Sequence, residues 1–422
     1  MAPRPSEVAL QAAVDGNLRL LKKMADKVDL KGAKDDMGRN TLHYAAAKGQ
    51  LAICKFLVEE IGLNVNSRSL EGETPMLLAA HEGDRNVPVL RYLLDCGGDP
   101  AAPDSRGSTP LHNAADHGHC EAVRLLLSKG VPVDPLNHRG TPLHLAVAKG
   151  LDHSVKILLE YGADPNRVVH HVFSPLVIAA SVPSLKCTKL LVEAGADVNF
   201  KGLYGPSALM MAVDEGSTNI VKFLLEVGAD PNIPDHHGRI PIMYAEACRR
   251  RELVEILFPR TKPIPSLPDW SVDGIIRTMK DAPFKAPDGV SVEKDMADAR
   301  LQGKEAFAKG DYLAAIYFYD LAMDIDPLDA TLFANRSLCW LRMREGELAL
   351  LDAQQCKRMR PCWSKAWYRE GAALSLLKNH KGAVDVFMEA LNLDPASGEI
   401  KKALREAMEA MKSAACSEKQ NP

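Results

Sequence analysis

Two pairs of cations stand four residues apart in the last third of this 422-residue chain: Arg300 with Lys304, and Lys365 with Arg369. On a helix, residues four apart share a face, so each pair aims its charged donors in one direction. A free carboxylate is the ligand such donors suit best, because each hydrogen bond to it is charge-assisted. Asn335 lies between the pairs and adds an amide, which donates and accepts. The charge is local, since residues 291–412 hold 18 Lys and Arg against 19 Asp and Glu. A merely basic domain is therefore not the explanation.

Other chemistries find little support. His117, His119 and Cys120 form a short cluster of zinc-ligand types, but Gly118-His119 sits in a turn that recurs elsewhere in the chain. His43, His112 and His144 recur at one position of a repeat, and no metal is expected there. No Gly-x-x-x-x-Gly-Lys loop, Gly-x-Ser-x-Gly elbow or His-Glu-x-x-His helix occurs. The expectation is a protein without cofactor or metal, and not an enzyme. A formal charge of −3 argues against a general nucleic-acid or membrane-surface binder. Nine scattered cysteines without a Cys-x-x-Cys pair suit a reducing compartment. With no apolar run near ~18 residues, no membrane span is expected, and the expected address is cytoplasmic with the nucleus left open.

The elements that would position such residues follow from two periods. His138 to Asn166 shows the first. Thr141 can cap a helix that begins at Pro142, where a missing N–H costs nothing. Gly150 breaks that helix, Val155, Leu158 and Leu159 mark a second one running back, and Gly162 ends it. Equivalents of His144 fall at His43, Leu77, His112, Val177, Met210 and Met243, a nearly even spacing of about 33 residues. Such a unit cannot bury its apolar face alone and needs stacked copies. The intact Thr-Pro-Leu-His-x-Ala runs at 109–114 and 141–146, with Gly-Ala-Asp-x-Asn at 195–199 and 228–232, resemble ankyrin repeats. The likeness covers residues 5–258 and implies about seven repeats plus an N-terminal cap.

Pro259, Pro263, Pro265, Pro268, Pro283 and Pro287 predict a semi-rigid linker over 259–290, helical only near Val272 to Lys280, with Trp270 able to pin it. The second period follows. Pro327, Pro361 and Pro395 stand at equal intervals of about 34 residues. Gly303, Tyr319, Ala349, Cys356, Gly371 and Phe387 fall at the small and large packing positions of tetratricopeptide repeats, which residues 291–412 resemble. Ile400, Ala403, Leu404, Ala407, Met408 and Met411 make an amphipathic helix able to cover the open end. The implied fold class is all-α: an ankyrin-repeat solenoid, then a three-repeat tetratricopeptide superhelix with a C-terminal capping helix. Residues 413–422 are expected to be a disordered tail.

The second resemblance also implies a partner. Co-chaperones with three such repeats use a carboxylate clamp to hold the Glu-Glu-Val-Asp tail of the seventy- and ninety-kDa heat-shock chaperones. Carried over position by position, the clamp falls on Arg300, Lys304, Asn335, Lys365 and Arg369. Arg300 keeps the charge of a lysine, and Lys304 departs from an asparagine. Three or four charge-assisted bonds, less the ordering of a flexible tail, suggest micromolar affinity, about −8 kcal/mol. On the ankyrin side, two loop tips are apolar where the others are polar. Val169 and Phe173 in one, and Leu203 and Tyr204 in the next, are candidate protein contacts; the alternative is that the aromatics fold back onto their own repeats. The expected function is an adapter between a client or signalling protein and a chaperone tail. The alternative is a scaffold or regulatory subunit, for example of a phosphatase, with no chaperone link.

Overall fold

The Thr-Pro-Leu-His start does locally what its residue types dictate. In the computed structural model Thr141 is extended (φ −89°, ψ 165°), its side chain accepts from the backbone N–H of His144, and Pro142 opens the helix Pro142–Ala148. Thr74, Thr109, Ser174 and Ser207 are the N-caps of the corresponding helices beside it. Gly150, at φ +67°, takes the left-handed turn that lets Asp152–Glu160 run back. The structure describes residues 4–419 apart from 138, 170–172, 203–205, 236–237, 248–249, 266, 268, 282–291 and 327.

Contacts divide the chain into two compact units, Ala2–Ala286 and Pro287–Pro422. The first is a stack of such helix pairs running from Pro5–Val14 with Leu18–Ala25 to Pro241–Ala247 with Arg251–Leu257. Alanines such as Ala45, Ala79, Ala114, Ala146, Ala179, Ala212 and Ala245 are buried on the first helix of each pair, so backbones approach closely. Larger residues on the second helices, Leu57, Leu90, Leu126, Leu158, Leu191 and Leu224, fill the rest of one continuous core. No repeat carries a core of its own.

The late Asn of Gly-Ala-Asp-x-Asn joins neighbours. Asn166 Nδ2 donates to the Gly195 carbonyl at 2.9 Å, and the Asp197 N–H donates to Asn166 Oδ1 at 2.7 Å. Asn66, Asn199 and Asn232 repeat the exchange with residues 97 and 99, 228 and 230, and 260 and 262. Between the helices of the second repeat the chain makes a tight turn at Asp84–Asn86, where buried Asn86 donates to the carbonyls of Ala46 and Ala47.

The stretch read as a linker is, up to Asp281, part of this first unit. Helix Val272–Asp281 packs on the last helix pair, Ile275 is fully buried in the shared core, and Trp270 stacks on Phe258 with ring centroids 5.4 Å apart. Its prolines break helices without preventing burial, and the apolar residues between them cover the solenoid's exposed end.

The second unit is an antiparallel helix stack. Val292–Ala308 pairs with Tyr312–Ile325, Ala330–Arg342 with Gly346–Met359, and Ser364–Leu376 with His380–Leu393, and Gly398–Lys419 follows. Gly303, Ser337 and Gly371 recur once per repeat, at one position of the first helices. A Cβ on Gly303 would lie 2.6 Å from the Tyr319 ring, and one on Gly371 would lie 2.6 Å from the Phe387 ring. Ser337 instead donates its hydroxyl to the Ala349 carbonyl at 2.8 Å. Ile400 and Ala407 of the last helix are buried, as expected of a covering helix. The whole is all-α, in the order the two periods predict.

Candidate functional site

The small residues at 303, 337 and 371 commit one face of each first helix to its outer partner. That fixes where the neighbouring charged positions point. Asn335 and Arg369 are one full repeat apart, so they occupy the same place on successive first helices, Ala330–Arg342 and Ser364–Leu376, which contact each other. Arg369 also feels Cys339, one turn beyond Asn335. The amide and the guanidinium thus stand at equivalent positions of two contacting helices.

Arg369 is 8% exposed, yet no acidic side chain pairs with it among the described residues, and its Nε has no hydrogen-bond partner. Its guanidinium lies 5.5 Å from the centre of the Tyr368 ring. Burial pushes its pKa down from the ordinary arginine value; the charges of Tyr368 and Glu399 oppose that shift, and Arg342 adds to it. Lys365, one turn earlier, is exposed, with Nζ 6.0 Å from the centre of the Trp363 ring. Asn335 is half-buried, and its side-chain amide bonds to none of the described residues. Asn335, Lys365 and Arg369 thus lie on two contacting helices, without a side-chain hydrogen bond or ion pair to the described residues.

Arg300 behaves differently. Its Nη2 donates to Asp329 Oδ2 at 2.6 Å and lies 3.5 Å from Asp326 Oδ2. Asp329 is the N-cap of the Asn335 helix, accepting from the Thr331 N–H at 2.9 Å. The first cation of the set therefore already holds a carboxylate of its own chain. Lys304 is exposed and has no ion pair among the described residues. Sequence reasoning missed Asp329 because it lies 29 residues from Arg300 and belongs to a turn. The signal available was an acid at a helix start, which is ordinarily read as a cap alone.

The ankyrin loop candidates divide. Val169 is buried and Phe173 half-buried against the core, because the two exchange backbone hydrogen bonds at 2.9 and 3.0 Å. That bridge turns both side chains inward, so neither is the projecting contact expected of it. Leu203 and Tyr204 lie outside the described residues. Around the histidine cluster, His119 Nε2 is 3.0 Å from the His81 carbonyl and His117 Nδ1 is 3.0 Å from the Asn113 carbonyl. Cys120 Sγ faces Ser154 Oγ at 3.7 Å. One further feature had no sequence signal: a cavity of about 350 Å³ between the third helix pair and the last helix, lined by Tyr368, Ser375, His380, Phe387 and Glu406 among others.

A family model described as ankyrin repeats, in three copies, matches residues 9–104, 77–169 and 175–265. The human ASB11 ankyrin repeat domain, a crystal structure, is 28% identical, with a TM-score of 0.48 over 53% of this chain and 98% of that one. Tetratricopeptide repeat protein 28 of Homo sapiens is 34% identical over 130 residues, 31% of this chain and 5% of that protein. The Hsp70-Hsp90 organizing protein of Triticum aestivum is 29% identical over 112 residues, 26% of this chain and 19% of the relative. The chain thus spans a fifth or less of the length of these two relatives. The C-terminal helix stack is a tetratricopeptide-repeat region similar to those of co-chaperones. With more than half its residues matched by the family model, and with helix pairs, caps and inter-repeat asparagine bonds that explain the match, the chain belongs to the ankyrin-repeat family.

Proposed function

We propose that this repeat-based protein-binding adapter uses its tetratricopeptide surface to hold an acidic C-terminal tail of a cytosolic heat-shock chaperone, while its ankyrin stack holds a client or signalling protein. One observation carries the reading: Arg369 is a buried cation with an unused Nε, on the same repeat position as the unpaired amide of Asn335. A buried charge without a partner is costly, and a ligand carboxylate relieves that cost. The likeness to a wheat protein named for organizing Hsp70 and Hsp90 supports the choice of tail. Lys365 then supplies a solvated second charge to the same ligand. Arg300 and Lys304 would stand at the other end of the peptide.

The test is a titration of a labelled peptide ending in Glu-Glu-Val-Asp into the full chain. Binding in the micromolar range is expected, weakening with salt. Arg369→Ala should lower affinity at least about tenfold, consistent with the loss of a charge-assisted bond. Amidating the peptide's C-terminus should abolish binding. Unchanged affinity for the amidated peptide would sink the proposal in favour of a scaffold without a chaperone link.

A further inference from the structure

The Arg300–Asp329 pair changes what the surface is before any ligand arrives. Asp329 Oδ2 accepts from Arg300 at 2.6 Å, while Oδ1 accepts from the Thr331 N–H at 2.9 Å and the Thr331 hydroxyl at 2.7 Å. The Asp329 side chain is 10% exposed and that of Arg300 33%, so the pair is partly shielded from water. Asp326, 42% exposed, adds a second acid at 3.5 Å. Burial alone would raise the Asp329 carboxyl, but the Thr331 bonds and the charges of Arg300 and Arg360 outweigh it and hold it below the usual range. It is therefore ionised throughout the neutral range. The Arg300 Nε is buried and unbonded, so the guanidinium is held by one edge only.

An incoming carboxylate at this end must exchange with one already present. The internal acid is tethered and pre-positioned by its capping bonds, so its effective concentration is high. We propose that Asp329 is an internal competitor for Arg300, a specificity-determining residue that closes this end of the surface to weakly acidic peptides and leaves attraction centred on Lys365 and Arg369. The inference rests on the acidic-tail reading of the same surface. It differs from a purely structural view of the ion pair, in which Asp329 ties two helix pairs together and has no bearing on ligands.

The two views separate in a double-mutant cycle on the full chain. Asn caps a helix as well as Asp does, so Asp329→Asn removes the charge and keeps the cap. Asp329→Ser, also a good cap, provides a second variant, and circular dichroism melts check that each folds. The probe is the labelled peptide ending in Glu-Glu-Val-Asp, with its amidated form as control. Asp329→Asn should tighten binding about tenfold, as expected when a charge-assisted donor is freed. Arg300→Ala should change the affinity of the unaltered chain less than about twofold, because its charge is already met by Asp329 and Asp326. In the Arg300→Ala background the gain from Asp329→Asn should vanish. If Asp329→Asn and Asp329→Ser bind like the unaltered chain, which still rejects the amidated peptide, the competitor idea fails and the acidic-tail reading stands. If the gain survives Arg300→Ala, Asp329 acts through the general field and the competitor idea again fails. Absence of binding by every variant overturns both.

Discussion

His112 of the third repeat donates from Nε2 to the carbonyl of Gly140 in the fourth, 3.1 Å away, while its Nδ1 accepts from the Thr109 backbone N–H at 3.1 Å. One buried imidazole thus closes its own helix start and holds the next repeat. His43 does the same with Asn40 and the Glu73 carbonyl at 3.0 Å.

His112→Ala removes both bonds, leaves a buried carbonyl short of its donor and opens a hole at a fully buried position. The expected cost is about 2–4 kcal/mol. It should appear as a lower midpoint in urea unfolding of the ankyrin stack, with no change in peptide affinity at the tetratricopeptide surface of the other unit.

His43 and His81 predict the response to acid. Burial pushes His43 below the ordinary histidine value of 6.5 despite the Glu73 carbonyl. His81 is pushed down by burial and then by His117. Both groups are neutral in the fold and take up protons more readily once unfolded. Their stabilisation is therefore full above about pH 6.5 and declines as pH falls through their lowered folded values. Melting temperature should drop from pH 7 to pH 5, and His43→Gln should flatten that slope. A melting temperature constant over that range would contradict the assignment. A further loss is expected below about pH 4, as Glu73 and Asp235, both held below their ordinary values, become protonated.

Gly371→Ala places a methyl 2.6 Å from the Phe387 ring. Overpacking costs about 1–3 kcal/mol and the better helix former returns up to ~1. Net destabilisation of about 1 kcal/mol should follow, seen as a lower thermal midpoint of the tetratricopeptide unit. A neutral result would mean Phe387 has room to move.

Arg369→Met tests whether stability has been given up for binding. Methionine has similar length and no charge to desolvate, so the empty protein should gain about 1 kcal/mol or more. Peptide binding should be lost at the same time. Calorimetry of the variant with and without peptide reads both effects, and a destabilised variant would show that Arg369 is held by its own chain.

Much of this molecule could be read from its residues. The two repeat periods, the Thr-Pro starts, the glycine breaks and the final amphipathic helix determined two kinds of helical repeat and their order, because each signal is local and acts within a turn or two. They also located the helices that carry Asn335, Lys365 and Arg369. Only tertiary structure decided the rest. It turned Val169 and Phe173 inward through a backbone bridge, and it packed Val272–Asp281 onto the last ankyrin repeat. It also gave Arg300 to Asp329. The last two are contacts between segments whose separation no period encodes, and the first depends on which side chains the bridge turns toward the core. Burial and pairing depend on which groups the folded chain brings within a few ångströms, and a linear pattern does not carry that distance.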